Sequence, residues 1–191
     1  MKSTLLNMVL SLLGITFVAS AGVGIVNQIT KEPIAQATQA ATTAALEQVL
    51  PKFDAITDEM LTLDDMPIKV YTAKGGSDAV GYAVETMTKS GFSGVVKLMV
   101  GFTPDGKVYN VNVLAQNETP GLGTKMADDG NPLLMSVKDK VLSDLDLRVT
   151  KDGGDIDALT AATISSRAYA DAMKRALVAF ETVTKRGGNN E

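Results

Sequence analysis

Residues 5–26 read LLNMVLSLLGITFVASAGVGIV, twenty-two positions without one charged side chain. A backbone in lipid must satisfy every N–H and C=O internally, and about 20 apolar residues in a helix are enough to cross a bilayer. The run therefore predicts a transmembrane helix over 5–26, with a short cytoplasmic flank at 1–4. A cleaved secretory leader is the competing reading, with Met1-Lys2 as the basic start and Ala19-Ser20-Ala21 as the small-residue cleavage site. The apolar run continues past that site through Gly22, Val23, Gly24, Ile25 and Val26, which favours the span. Lys2 sits before the run, whereas Lys31 after it is offset by Glu32, so the short N-terminus is expected inside. The expected arrangement is a single pass through the cell inner membrane, with the large domain on the periplasmic, extracytoplasmic side.

Beyond Val26 the chain carries 17 basic and 22 acidic residues, a net charge of −5. That balance argues against nucleic acid as a partner and against attraction to anionic lipid. The chain has no Cys and no His. Disulfides, thiol redox chemistry, cysteine-held iron–sulfur clusters, His-ligated haem and the usual zinc sites are thereby excluded or disfavoured, and any redox role must rest on an organic cofactor. The span contains no ionisable group, so ion transport by this chain alone is not expected.

After the span, Ile34, Ala37, Ala41, Ala44 or Ala45, and Val49 recur at helical spacing, which predicts a helix over 31–50. It is either a stalk (27–50) or the first helix of the following domain. An acidic segment, 54–65, is expected to pack on the domain edge. Segments 68–74 and 79–89 read as strands around Gly75-Gly76-Ser77-Asp78, and 95–103 and 107–115 as strands around Pro104-Asp105-Gly106. Four antiparallel strands in a meander follow, and the alternation over 108–114 predicts one buried face. Downstream, 131–142 reads as a short helix and 145–150 as a strand. Tyr169, Met173, Ala176, Leu177, Phe180 and Val183 then form the apolar stripe of a long final helix, stopped by Gly187-Gly188. The fold class is α+β: one N-terminal transmembrane helix, then an antiparallel sheet packed by helices.

Two polar loops carry the chemistry. In Asp157-Ala158-Leu159-Thr160-Ala161-Ala162-Thr163-Ile164-Ser165-Ser166, Asp157, Thr160 and Thr163 are spaced by three at a helix start. Free N–H groups and the helix dipole favour an anion there. Ala161 and Ala162 keep the adjacent backbone bare, and Ser165 and Ser166 add donors. Plain capping, with Asp157 or Thr160 as N-cap, explains the same residues. In Glu118-Thr119-Pro120-Gly121-Leu122-Gly123-Thr124-Lys125, Gly121 and Gly123 allow a flat ligand to approach the backbone, Leu122 offers an apolar face and Lys125 a charge. An ordinary Pro-Gly turn with a solvated lysine is the alternative.

Together the two loops resemble the FMN-binding domain family. Its Asp-x-x-Ser/Thr-Gly-Ala-Thr-x-Ser/Thr motif matches Asp157, Thr160, Ala161, Ala162, Thr163 and Ser165, and Glu118 to Gly123 match its Glu-Thr-Pro-Gly-Leu-Gly stretch. The resemblance implies FMN joined covalently to Thr163 through a phosphoester, with Thr119 and Leu122 against the ring and residues 51–191 as the FMN-binding domain. It also implies a flavin transferase for maturation. Ala161 stands where the family has Gly. One span followed by this domain is similar to the G subunits of Rnf-type complexes. These are electron-carrying subunits of membrane ferredoxin:NAD oxidoreductases coupled to ion movement, with the other subunits as partners. The C subunit of sodium-translocating NADH:quinone reductase shares the plan, and a non-redox membrane-anchored binding or scaffold domain is the reading from a different class.

Overall fold

The structure, a computed structural model, describes residues 4–187. Residues 1–3 of the N-terminal flank, and Gly188 of the expected helix stop, lie outside the described residues. The chain divides into two compact units, Met1–Thr42 and Thr43–Glu191.

The first unit is helical. Helix α1 runs Leu5–Val49 without a break, so the helix expected over 31–50 continues the apolar segment. Its N-terminal part is long and apolar enough to cross a membrane. A hydroxyl in such a segment needs a partner, and Thr16 donates to the Leu12 carbonyl at 2.9 Å; beyond the apolar run Thr30 and Thr38 turn back in the same way, to Val26 and Ile34 at 2.8 Å.

The second unit is built on five antiparallel strands in simple sequential order: β1 Ala55–Leu63, β2 Met66–Gly75, β3 Asp78–Gly91, β4 Gly94–Phe102 and β5 Val108–Ala115. The acidic segment is therefore a full strand, a correction to the expected four-stranded meander. It pairs with β2 from Ala55↔Lys74 to Leu63↔Met66. As an edge strand it is exposed along most of its length, so no clean burial alternation marks it. Its turn is also unusual, with Asp64 and Asp65 at φ 49° and 58°. Such hairpin positions usually go to Asn or Gly.

Helix α3, Thr163–Gly187, covers one face of the sheet. Ala168, Tyr169, Ala172, Met173, Ala176 and Phe180 pack against Ile68, Val70, Val84, Val96, Leu98, Val100 and Phe102. The other face is not simply solvated, as a single buried face would imply. The last turn of α1 lies on it, with Ala45, Leu46, Val49 and Leu50 against Tyr71, Ala73, Ala83 and Met99. A Cβ on Gly101 would strike the Val49 carbonyl, so glycine there permits the close approach. Further along, that face mixes Met60, Pro67 and Met87 with charged groups: Lys97 donates to Glu85 at 2.7 Å, and the Tyr71 hydroxyl reaches Glu85 at 3.3 Å.

Two further expectations are corrected. Helix α2 is only Pro132–Val137, N-capped by Asn131, whose side chain accepts from Leu134 N–H at 3.0 Å. It stops early because the following backbone pairs with β5: Asp139 N–H donates to Val108 O at 2.8 Å and Val108 N–H to Lys140 O at 2.9 Å. The segment 145–150 is no strand. Short 3₁₀ turns at Leu142–Asp144 and Thr150–Asp152 frame it, and a single bridge, Val149↔Ile156, remains.

The Tyr169 hydroxyl is buried with no hydrogen-bond partner among the described residues, and burial pushes its phenol well above the ordinary range. Leaving such a group unpaired costs about 1–3 kcal/mol. Tyr169→Phe is expected to stabilise the domain by roughly 1 kcal/mol, read as a raised midpoint in chemical or thermal denaturation; a destabilised variant would show that the hydroxyl has a partner in solution.

Candidate functional site

Three segments meet at one end of the sheet: the β3–β4 turn, the loop after β5 and the start of α3. Between them lies a cavity of about 340 Å³, lined by Phe92, Thr119, Leu122, Gly123, Ala161, Ala162, Thr163, Ile164 and Ser165. The two loops singled out in the sequence thus share one concavity.

The loop after β5 is shaped by a Pro-Gly turn. Leu122 N–H donates to Thr119 O at 3.1 Å, with Pro120 second and Gly121 third at φ +75°, the left-handed position that favours glycine. The turn aims Leu122 outward, 39 % exposed, along the cavity wall. Gly123 is required for packing: a Cβ there would come within 2.6 Å of Ser165 Oγ and 2.7 Å of Glu118 Cβ.

Glu118 lies behind the cavity wall, only 3 % exposed. Its Oε1 accepts from Ser93 N–H at 3.0 Å, and its Oε2 accepts a short hydrogen bond from the Ser165 hydroxyl. One carboxylate therefore joins all three segments. Its geometry is that of a brace, whereas the sequence motif groups it with the ligand contacts.

At the start of α3, the first intrahelical bond is Ser166 N–H to Ala162 O at 3.0 Å. The amides of Thr163, Ile164 and Ser165 precede it and have no helical acceptor. Ala161 adopts φ +59° in the turn closed by Ala162 N–H to Leu159 O at 3.2 Å. The Ser166 hydroxyl accepts from Leu159 N–H and donates to Ala162 O, both at 2.9 Å. It is fully buried and holds the turn rather than facing the cavity. The side chains of Asp157 and Thr160 are exposed and make no hydrogen bond among the described residues, so neither caps α3 and neither lines the cavity. Gly121 and Lys125 are also outside the lining.

Three residues at the cavity lie outside the contacts that the sequence singles out. Phe92, 64 % exposed, occupies the two-residue tip between β3 and β4; an aromatic between glycines at a turn is the available clue. Ile164 follows Thr163 and is 47 % exposed. Lys151 donates from Nζ to Thr163 Oγ1 at 2.9 Å, across a separation of twelve residues. Beside it, the Arg167 guanidinium grips Asp152 through Nε at 2.7 Å and Nη2 at 2.8 Å and holds that carboxyl below its usual range.

A model of the FMN-binding domain family matches residues 91–178, which include every residue lining the cavity. Over 193 aligned residues the chain is 36 % identical to the G subunit of the ion-translocating oxidoreductase complex of Shewanella amazonensis, covering 93 % of this chain and 89 % of that protein. The G subunit of Vibrio atlanticus is 34 % identical over 174 residues, 83 % of this chain and 82 % of its own, and that of Erwinia tasmaniensis 34 % over 171 residues, 83 % and 81 %. The chain belongs to the family of G subunits of ion-translocating oxidoreductase complexes.

The site of this G-subunit family member fits FMN by its own chemistry. Phe92, Leu122 and Ile164 give an apolar wall suited to a flat ring. Free amides, a hydroxyl and an ammonium converge at Thr163, where a phosphate is favoured. The volume is within the range of small-molecule sites, about 300–1,000 Å³.

Ala161 holds its left-handed φ at a cost of roughly 1–2 kcal/mol. Ala161→Gly relieves this strain and gives back part of it as unfolded-chain entropy. The expected net gain is roughly 0.5–1 kcal/mol, a rise of about 1–4 °C in melting temperature. A fall in melting temperature would mean that the turn is not left-handed in solution.

Proposed function

We propose that this chain is the electron-carrying G subunit of an Rnf-type ion-translocating oxidoreductase complex, with FMN joined to the Thr163 hydroxyl by a phosphoester. The observation that carries the reading is the single cavity that brings Thr119, Leu122 and Gly123 to Ala161, Ala162 and Thr163, in a chain of the G-subunit family. Bound there, FMN supplies the electron-carrying chemistry that a protein without Cys or His does not supply itself.

The chain's own residues do four things. The first-turn amides of α3 and the Thr163 hydroxyl receive the phosphate end. Leu122, Phe92 and Ile164 bury the ring and exclude water, which sets how readily charge is accommodated on it. Thr119 borders the ring position from the Pro-Gly turn. Glu118, braced by Ser93 and Ser165, keeps the two walls at a fixed separation. No side chain is assigned proton transfer.

Helix α1 serves as the single membrane anchor, with the domain on the periplasmic side of the inner membrane. There, a dissociable flavin would be lost by dilution, and a covalent link installed by a flavin transferase prevents that loss. Ferredoxin:NAD oxidation–reduction is assigned to the assembled complex, with the other subunits as partners. The relatives' shared designation supports this reading over the C subunit of a sodium-translocating NADH:quinone reductase and over a non-redox scaffold.

A denaturing gel under ultraviolet light tests the linkage. Expressed in a host with the transferase, the chain is expected to give a fluorescent band at its own mass, and Thr163→Ala to abolish it; a dark wild-type band overturns the assignment. A separate measurement addresses the ring contact. Leu122→Ala is expected to retain the fluorescent band while shifting the flavin's midpoint potential or opening it to solvent quenchers. An unchanged spectrum and potential would remove Leu122 from the ring contact.

A further inference from the structure

Lys151 forms no ion pair with a carboxylate among the described residues. Among the described residues its ammonium makes one hydrogen bond, to Thr163 Oγ1 at 2.9 Å, although the domain is acidic and acceptors of opposite charge are plentiful. Asp152, the nearest carboxylate in sequence, is turned to Arg167.

The position is built rather than incidental. Lys151 is the middle residue of the 3₁₀ turn Thr150–Asp152. That turn is fixed from both sides. Thr150 N–H donates to Ile156 O at 2.8 Å, and Arg148 Nη1 donates to the Asp152 carbonyl at 3.0 Å. The Asp152 carboxylate accepts two hydrogen bonds from Arg167, four residues beyond Thr163 on α3. The ammonium reaches Thr163 Oγ1, and Thr163 is the first residue of α3, so the charge of the lysine and the positive end of the helix lie on the same side of the site. A negative group placed there would be favoured by both fields.

We propose that Lys151 is the phosphate-recognising residue of this site: it orients Thr163 Oγ1 and supplies the counter-charge for the FMN phosphate joined there. The inference rests on the Thr163 linkage. In the joining step, with a flavin dinucleotide as donor, Thr163 Oγ1 forms a bond to the phosphorus that carries the FMN half. The bond from that phosphorus to the bridging oxygen breaks, the mononucleotide leaves with the electron pair, and the hydroxyl proton passes to the transferase or to water. Lys151 neither gives nor takes a proton in this step. Its hydrogen bond takes a lone pair of Oγ1 and directs the hydroxyl proton away from the lysine; afterwards the ammonium faces the single negative charge of the diester. Lys151 is thus a positioning residue for attachment and a partner of the product.

The test uses the full-length chain in detergent, with flavin transferase and flavin dinucleotide, and follows the fluorescent band over time. Lys151→Gln is expected to label at least roughly tenfold more slowly than wild type at low salt, the size of a lost hydrogen bond to a charged group. Lys151→Arg keeps the cation and its donors and should restore most of the rate. The gap between wild type and Lys151→Gln should narrow as salt rises, while circular dichroism and melting temperature stay unchanged; a purely structural lysine would show neither rescue by Arg nor this salt dependence. Wild-type labelling by Lys151→Gln, or Arg as slow as Gln, overturns the role of Lys151 and leaves the linkage standing. A wild-type chain that never labels, or Thr163→Ala that still does, overturns the linkage and the inference with it.

Discussion

A carboxylate taken out of water must find donors inside the protein or remain costly, at several kcal/mol. Glu118 meets that demand with the Ser93 amide and the Ser165 hydroxyl, and the two donors come from different parts of the chain. The β3–β4 tip, the loop after β5 and the first turn of α3 are therefore tied at one buried point. Gly123 completes the tie, because any side chain there would push Ser165 and Glu118 apart. The cavity is the space left on the outer side of this junction. Gly123 and Ser165 belong both to the brace and to the lining, so the tie fixes part of the cavity wall directly.

The sheet supplies the platform for that junction. Its inner face is covered by α3 through a stripe of small residues, Ala168, Ala172, Ala176 and Ala179, with Tyr169, Met173 and Phe180 between them. Small residues let the helix axis come close to the strands. The same helix thus closes the core with its body and opens the site with its beginning. Tyr169, buried for packing with no hydroxyl partner among the described residues, is a cost of that closeness.

Much of this is legible from the residues, and the failures have physical causes. The amphipathic stripe of α3, the strands β2 to β5 with their glycine turns and the uncharged helix all follow from periodicity and turn chemistry, which are local. Strand β1 escapes such reading because an exposed edge strand needs no apolar alternation and because its Asp64-Asp65 turn uses an atypical pair. The early end of α2 depends on backbone pairing with β5, which is tertiary, and the segment 145–150 is framed by 3₁₀ turns that its apolar spacing does not reveal. At the site, the lining residues of both loops are visible as motifs. What those motifs do not reveal is the division of labour: Glu118 and Ser166 hold the structure from behind, Asp157 and Thr160 face solvent, and Lys151 arrives from a turn twelve residues away.

The left-handed backbone of Ala161 has a consequence for where α3 can begin. Helices grow by adding one residue at a time to an existing end, and the residues before Thr163 include Ala158, Leu159 and Ala162, none of which opposes growth. A right-handed residue at 161 would let the helix run back through them, and the Thr163 amide would be consumed inside a second turn. Ala161 blocks that extension. It acts as a register mark for the helix, deciding which residue receives the open end, and so which hydroxyl stands at the positive pole.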